Sequence, residues 1–430
     1  MTRPQLAEFI RRMGPDSVAV IPAAREVTRS NDTEYRFRQD SDFYYLTGFN
    51  EPDAVAVVAP SREERFTLFV RPRDRERETW TGRRAGVEGA RGRYGADAAF
   101  PVEEFAEKLT ELLDGARTLY YRLGASAEFD QTIIRGLARM RAMGWRKARP
   151  PQTITDPGVL LHEMRLVKTE EEIALMQRAA DIGSEAHREA MRAARPGAKE
   201  YEIEALIEYV FRRSGAAGPA YNSIVGSGAN ATILHYVNND AELKDGDLLL
   251  IDAGAEYAGF ASDITRTFPV NGRFTEAQRE LYDLVLGCQQ ECIRMVRPGA
   301  DMDEMHQRSV EILTEGMVRL GLLKGETGKL IEEGEYKKFY MHRLGHYLGM
   351  DVHDVGAYHR EGRARPLGAG MVLTVEPGIY VAEDAEDIPD KYRGLGVRVE
   401  DDVLVTTEGF RVLTDKAPKQ VEEIESLMAR

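Results

Sequence analysis

The four residues Arg-Pro-Gly-Ala occur twice, at positions 195–198 and 297–300, 102 residues apart. Each time they stand between two helical patterns. Met191 and Ala194 close one apolar face and Tyr201, Ile203 and Ile207 open the next, while Ile293 precedes the second joint and Met305 follows it. Proline cannot continue a helix and glycine takes the left-handed turn that ends one, so each joint reads as helix–turn–helix. Two matching joints predict that this part of the chain folds as two related halves. A site between such halves would draw residues from both.

The first 150 residues read differently. Apolar strands such as 54–58 and 66–70 alternate with turn and helix signals, an α/β pattern. The Pro- and Gly-punctuated stretch from Arg149 to Gly158 reads as a linker, and Thr169 with Glu172 reads as a capping box opening a long helix. Two domains are therefore expected, 1–155 and 156–430. The charge divides with them. The first segment carries 26 basic and 23 acidic side chains, net +3, and the second 32 and 49, net −17. The whole chain, at −14, would repel phosphate backbones, so nucleic-acid binding is not expected.

The Arg-rich run from Arg71 to Arg93 is interleaved with Asp74, Glu76, Glu78 and Glu88 and reads as a solvated or subunit-contact surface. The opening MTRPQLAEFIRRMG has no apolar core of signal-peptide length, and no apolar run reaches the ~18 residues of a membrane span. The two cysteines, Cys288 and Cys292, read as reduced thiols near one helix face. A cytoplasmic protein is expected.

Carboxylates mark the chemistry. The run 246–254 reads as a buried strand ending at Asp252, and after a short turn at 256–259 comes a second run, 260–268, that carries Asp263. A hairpin there sets the two acids nearly opposite each other, which is destabilising unless a cation lies between them. Glu376 ends the apolar strand 371–375, where an unpaired charge is costly. Glu400 shares a strand face with Arg398, whose guanidinium could orient it. Four of the eight histidines, His342, His346, His353 and His359, fall within eighteen residues. The Gly- and Asp-rich run 345–354 favours His346 as a ligand. His162, His187, His306 and His359 read as ordinary satisfied histidines.

Four carboxylates and one imidazole suit Mn²⁺, Co²⁺ or Zn²⁺, and they exceed what one tetrahedral zinc needs. Two metals bridged by carboxylates would use them all and would hold a water acidified toward pH ~7, so amide or ester hydrolysis follows. Rival chemistries are thin. The chain has no P-loop, no dinucleotide fingerprint and no G-x-S-x-G elbow.

The strings LLLIDAGAEYAGFASDITRTFPV, MHRLGHYLGMDVHDVG, MVLTVEPGIY and GVRVEDDVLVT resemble the Xaa-Pro aminopeptidase (aminopeptidase P) and prolidase family of dinuclear metallopeptidases. The amino-terminal NDTEYRFRQDSDFYYLTGFNEPDA is similar to aminopeptidase P, so the likeness covers nearly the whole chain. It implies an α/β (α+β) fold. An amino-terminal α/β domain with a mixed sheet would supply oligomer contacts and the active-site rim, and a carboxy-terminal pita-bread domain would hold two pseudo-symmetric halves.

By the same resemblance Asp252 is a ligand of one metal, His346 and Glu376 of the other, and Asp263 and Glu400 bridge both. His353 would contact the substrate carbonyl, and Glu376 would move the proton to the leaving nitrogen. His235 would lie beside the metals near the proline end, and His342 would line the proline pocket. Arg398 would hold the bridging Glu400, and Tyr221, Tyr380, Asp32, Trp80 and Arg363 resemble substrate-pocket positions. The implied enzyme removes the first residue from peptides with proline second, using two divalent metals, most in keeping Mn²⁺, as a homo-oligomer (dimer or tetramer) without membrane or nucleic-acid partners.

Two alternatives stand beside this. A prolidase would cut Xaa-Pro dipeptides with the same ligands, and Gly345 before His346 looks more like that version of the loop. A non-catalytic binding module would have lost several ligands, and none is missing.

Overall fold

The computed structural model describes residues 4–429, so residues 1–3 and 430, the outermost ends of the expected domains, lie outside the described residues. The chain divides into two compact units, Met1–Met164 and Arg165–Arg430. The helix Gly158–Leu166 carries the chain from one to the other.

The first unit is built on one six-stranded sheet. Its strands are β1 (Ser17–Pro22), β2 (Val55–Val58), β3 (Phe66–Val70), β4 (Ala98–Pro101), β5 (Thr118–Tyr120) and β6 (Thr153–Thr155), in the order β4-β3-β2-β1-β5-β6. The β1–β2 and β2–β3 pairs are antiparallel and the β1–β5, β3–β4 and β5–β6 pairs parallel, so the sheet is mixed. Strands β1, β2 and β3 are almost wholly buried, and apolar apart from Ser17 and Thr67, as a sheet covered on both faces requires. Ala19 and Ile21 pack with Phe9, Phe43 and Leu46 on one face. Val18 and Val20 pack on the other with helices α1 (Phe105–Leu113) and α2 (Ala127–Met143). These helices cross at Gly136, where a Cβ would stand 2.5 Å from Leu109 Cδ2.

The second unit repeats one plan. Helix α3 (Glu170–Ala193) starts in the capping box of Thr169 and Glu172 that the sequence predicts. It is followed by α4 (Glu200–Arg213) and by the antiparallel sheet β7 (Ile224–Ser227), β8 (Leu248–Asp252) and β9 (Thr265–Pro269). Then come α5 (Glu276–Met295) and α6 (Met302–Leu320), followed by β10 (Val372–Val375), β11 (Gly378–Val381), β12 (Leu395–Arg398) and β13 (Asp401–Val405). Here β10 pairs with β13 and β11 with β12, both antiparallel. Each half is thus a helix pair followed by antiparallel strands, the pita-bread plan. Its two joints match in detail, since Gly197 (φ 84°) and Gly299 (φ 89°) take the left-handed turn at equivalent positions.

A single core joins the halves, with Val225, Leu249 and Ile251 from the first and Leu373, Val375 and Val403 from the second. Hydrogen bonds continue across them. Glu400 N–H donates to Thr265 O at 3.1 Å, and Thr267 Oγ1 donates to Arg398 O at 2.9 Å. The strand ends that carry the candidate carboxylates are thereby brought to one place. Among the described residues no helix is long and apolar enough to cross a membrane.

Candidate metal centre

Asp252 is the last residue of β8 and pairs in register with Ile224 on β7 and Thr265 on β9. The hairpin expected from the sequence exists, but Asp263 does not face Asp252 across it. Asp263 lies in a break before β9, where Ala253 N–H donates to Ile264 O and Ser262 N–H to Ala255 O, both at 3.0 Å. The break depends on Gly254, because a Cβ there would lie 1.7 Å from Ser262 O. The carboxylates converge nonetheless, and the Tyr221 hydroxyl sits between them, 2.6 Å from Asp252 Oδ1 and 2.5 Å from Asp263 Oδ1.

His346 is held by its neighbours on β10. Its N–H donates to Thr374 Oγ1 at 3.0 Å, and Thr374 N–H donates to His346 O at 2.8 Å. Its Nδ1 lies 3.1 Å from Tyr347 O, so Nε2 is the nitrogen aimed at the acids, 3.4 Å from Asp263 Oδ2 and 3.5 Å from Glu376 Oε1. Gly345 has a packing reason, since a Cβ would stand 2.0 Å from Thr374 O. The glycine that looked prolidase-like is what lets this loop lie against β10.

Glu400 sits between β12 and β13 and accepts a hydrogen bond from Thr265 Oγ1 at 2.6 Å. The expectation that Arg398 reaches Glu400 directly is corrected. Arg398 ends β12 rather than sharing a continuous strand with Glu400. Its Nη2 donates to Asp252 Oδ2 at 2.7 Å, its Nη1 to Tyr380 Oη at 2.9 Å and its Nε to Thr265 Oγ1 at 3.0 Å. It touches Glu400 only through that threonine. Behind Glu400, the fully buried Arg266 donates Nη1 to the Glu400 and Thr265 carbonyls and Nη2 to Asp401 at 2.7 Å.

So many buried acids cannot all stay charged without a cation. Donor atoms of Asp263, His346 and Glu400 all lie within 4.8 Å of one another. Burial, with Asp263 and Glu376 nearby, holds the Glu400 carboxyl far above the usual range, and burial pushes Glu376 up to about 7. Burial also raises Asp252, though Arg398 opposes it. His346 is pushed up to about 9, because Asp263 and Glu376 outweigh the burial that disfavours its charge. Protons therefore stand in for missing positive charge. A buried set of carboxylates and one imidazole nitrogen fits a divalent cation of the Mn²⁺, Co²⁺ or Zn²⁺ kind.

Above the cluster opens a cavity of about 520 Å³. His235, His342 and His353 line it with His346, Glu376 and Arg398. The His353 ring meets His346 edge-on at 4.3 Å, and burial lowers its pKa. Its neighbour Asp354 is locked by Arg165 at 2.6 Å and Lys168 at 3.1 Å, all three buried. The loop bearing His235 is tied at Ser227, Asn230, Tyr236 and Ala241 to one buried carboxylate, Glu200. Burial pushes His342 down to about 4, and its Nε2 takes the Tyr380 hydroxyl at 2.9 Å. The hydroxyls of Tyr221 and Tyr380 are thus committed to site side chains.

Asp32 and Trp80 lie in the first unit and are exposed there, Trp80 by 85%. Arg363 is exposed on a small hairpin opposite Arg360. His187 is buried against Ala253 O at 3.0 Å and His162 contacts Arg122, as ordinary histidines do. His359 does not fit that class, for it lines the cavity and pairs with Asp303. Thr265, Glu200 and Asp402, which accepts the Asp263 N–H at 3.2 Å, were missed. Thr265 lies two positions after Asp263 inside a motif string, a signal that was available. Asp402 was hidden in what reads as an exposed acidic run.

Residues 174–407 match the model of metallopeptidase family M24, and residues 3–120 match the aminopeptidase P N-terminal domain. The chain is 48% identical over 422 residues to the Xaa-Pro aminopeptidase of Escherichia coli strain K12, covering 98% of this chain and 95% of that one. The structure of Pseudomonas aeruginosa aminopeptidase PepP superposes with a TM-score of 0.97 at 49% identity, over 99% of this chain and 96% of the other. A zinc-substituted Escherichia coli aminopeptidase P in complex with product gives a TM-score of 0.96 at 47% identity, over 100% and 98%.

Proposed function

The chain belongs to metallopeptidase family M24 and carries the aminopeptidase P N-terminal domain, and from that premise we propose that it is an Xaa-Pro aminopeptidase. It removes the first residue from peptides whose second residue is proline. The observation that carries this reading is the buried convergence of Asp263, His346 and Glu400, joined by Glu376 and Asp252, under an open cavity.

Asp252, Asp263, His346, Glu376 and Glu400 would together hold two divalent cations. The carboxylate-rich set favours Mn²⁺ over Zn²⁺ or Co²⁺. When bound, the metals supply water acidified toward neutral pH and polarise the scissile carbonyl. The chain's own groups do the rest. The acidic floor attracts the substrate's ammonium end, which limits cleavage to one residue. His353, at the cavity face, donates to the oxygen that gains charge at the attacked carbonyl. Glu376 moves the proton to the leaving proline nitrogen. His235 and His342 border the proline, and Arg398, through Asp252 and Thr265, keeps the acids in place.

We place the enzyme in the cytoplasm, where its two free, buried thiols suit a reducing compartment, and as a homo-oligomer, dimer or tetramer. Hydrolysis of an Xaa-Pro-Xaa tripeptide and an Xaa-Pro dipeptide, side by side with Mn²⁺, tests the activity. Fast release from the tripeptide, little from the dipeptide, and at least about a hundredfold loss in Glu400→Ala are expected. Preference for the dipeptide would make it a prolidase, and silence on both with no metal taken up would make it a binding module.

A further inference from the structure

The cavity wall changes character from floor to mouth. At the floor, the side chains of Asp263 and His346 are 7% and 16% exposed. From there contacts run outward from Asp252 through Arg398 and Tyr380 to His342. The next residue is Arg343, whose side chain is 59% exposed and lines the same cavity. On a second path Tyr347 stacks on Tyr358 at 4.5 Å, and the next residue is His359, 52% exposed and also on the wall. Both outer residues meet at Asp303 in the first turn of α6. Arg343 Nη2 pairs with its Oδ1, and His359 Nε2 lies 2.8 Å from its Oδ2. None of the three touches the carboxylate cluster.

This pairing leaves donors unused. Arg343 commits Nη2 to Asp303, while its Nε and Nη1 have no hydrogen-bond or ion-pair partner among the described residues. Asp303 fixes one edge of a planar fork and leaves the rest at the mouth of the cavity. A guanidinium presented in this way matches a carboxylate. We infer that Arg343, steadied by Asp303 and flanked by His359, forms an outer subsite that binds a carboxylate beyond the substrate's proline. The inference rests on the peptide reading above, in which the amino end lies at the acidic floor and the carboxyl-terminal part leads to the mouth. That carboxylate comes from one of two sources, the free carboxyl terminus of a tripeptide or an acidic third side chain. Because Arg343 is exposed and already shares one acid, the gain is modest, about fivefold.

The test compares kcat/KM with Mn²⁺ for Ala-Pro-Ala against its carboxyl-terminal amide, and for Ala-Pro-Asp amide against Ala-Pro-Asn amide. The wild type prefers the carboxylate in at least one pair by about fivefold, and added salt erodes the preference. A preference in the first pair alone identifies the chain terminus as source, and in the second the side chain. Arg343→Gln abolishes the preference by slowing only the peptides that carry the carboxylate, and Arg343→Lys restores part of it. No preference in the wild type, or one that survives in Arg343→Gln, overturns the subsite. Failure of the wild type to cleave any of the four peptides overturns the aminopeptidase reading itself, and the subsite with it.

Discussion

At the scale of single residues, the site is a set of buried charges that protons or a cation must balance, and its neighbours are ordered by what burial permits. His187 shows the second point. Its ring is fully buried behind Ala253, and burial pushes its pKa down to about 4 from an ordinary value near 6.5. The unfolded chain binds that proton first as pH falls. The stability this histidine allows is therefore complete above about pH 6.5 and is lost as the pH falls toward 4, by at most about 3 kcal/mol. Chemical denaturation at pH 7 and pH 5 should show His187→Gln losing about 2 kcal/mol less than the wild type between them. Equal losses would mean the buried imidazole is not the group responsible.

Between elements, the decisive features are places where backbones touch. Gly254 lets the β8–β9 connection fold onto Ser262, which sets Asp252 and Asp263 on a common tyrosine. Gly254→Ala should cost about 3 kcal/mol by overpacking and remove activity and metal binding together, as read by thermal melts and bound-metal analysis. Gly287 is the contrast. It lies exposed on α5 with nothing within 4 Å of a new Cβ, so Gly287→Ala should stabilise by about 0.5–1 kcal/mol with unchanged kinetics. A large loss at Gly287, or none at Gly254, would contradict these contacts. The chain's pattern announced the capping box of α3 and both glycine joints, because capping and left-handed turns depend on residues a few positions apart. It did not announce the break before Asp263, because that depends on a contact with Gly254 across the hairpin.

For the molecule as a whole, metal and fold are linked by mass action. The clustered donors Asp263, His346 and Glu400 come from both halves of the second unit, so a bound cation would tie the turn before β9 to the loop before β10 and to the β12–β13 connection. Mn²⁺ at about a hundred times its Kd should add about 2.7 kcal/mol and raise Tm by several degrees, and a chelator should reverse this. His346→Ala should give little or no shift at the same concentration. A wild type whose Tm ignores both Mn²⁺ and chelator would show that the cluster is no metal site. Light scattering on the same samples would read the assembly state, with a single-chain mass counting against the proposed oligomer.

The sequence by itself determined the two-part α/β plan, the duplicated helix joints and the candidate acids and histidine, of which Asp263, His346 and Glu400 cluster. Those features rest on local spacing, on glycine and proline, and on carboxylates placed where an apolar strand ends. Only the tertiary structure decided which side chains touch. Arg398 turned from Glu400 to Asp252 because β12 ends at Arg398 and β9 crosses beside it, with Thr265 between them. Asp402 proved buried behind Asp263, and His359 proved part of a cavity wall reached from a distant helix through Asp303. Partners separated by 56 to 146 residues leave no periodic trace in a single chain, since their meeting is fixed by how the two halves pack.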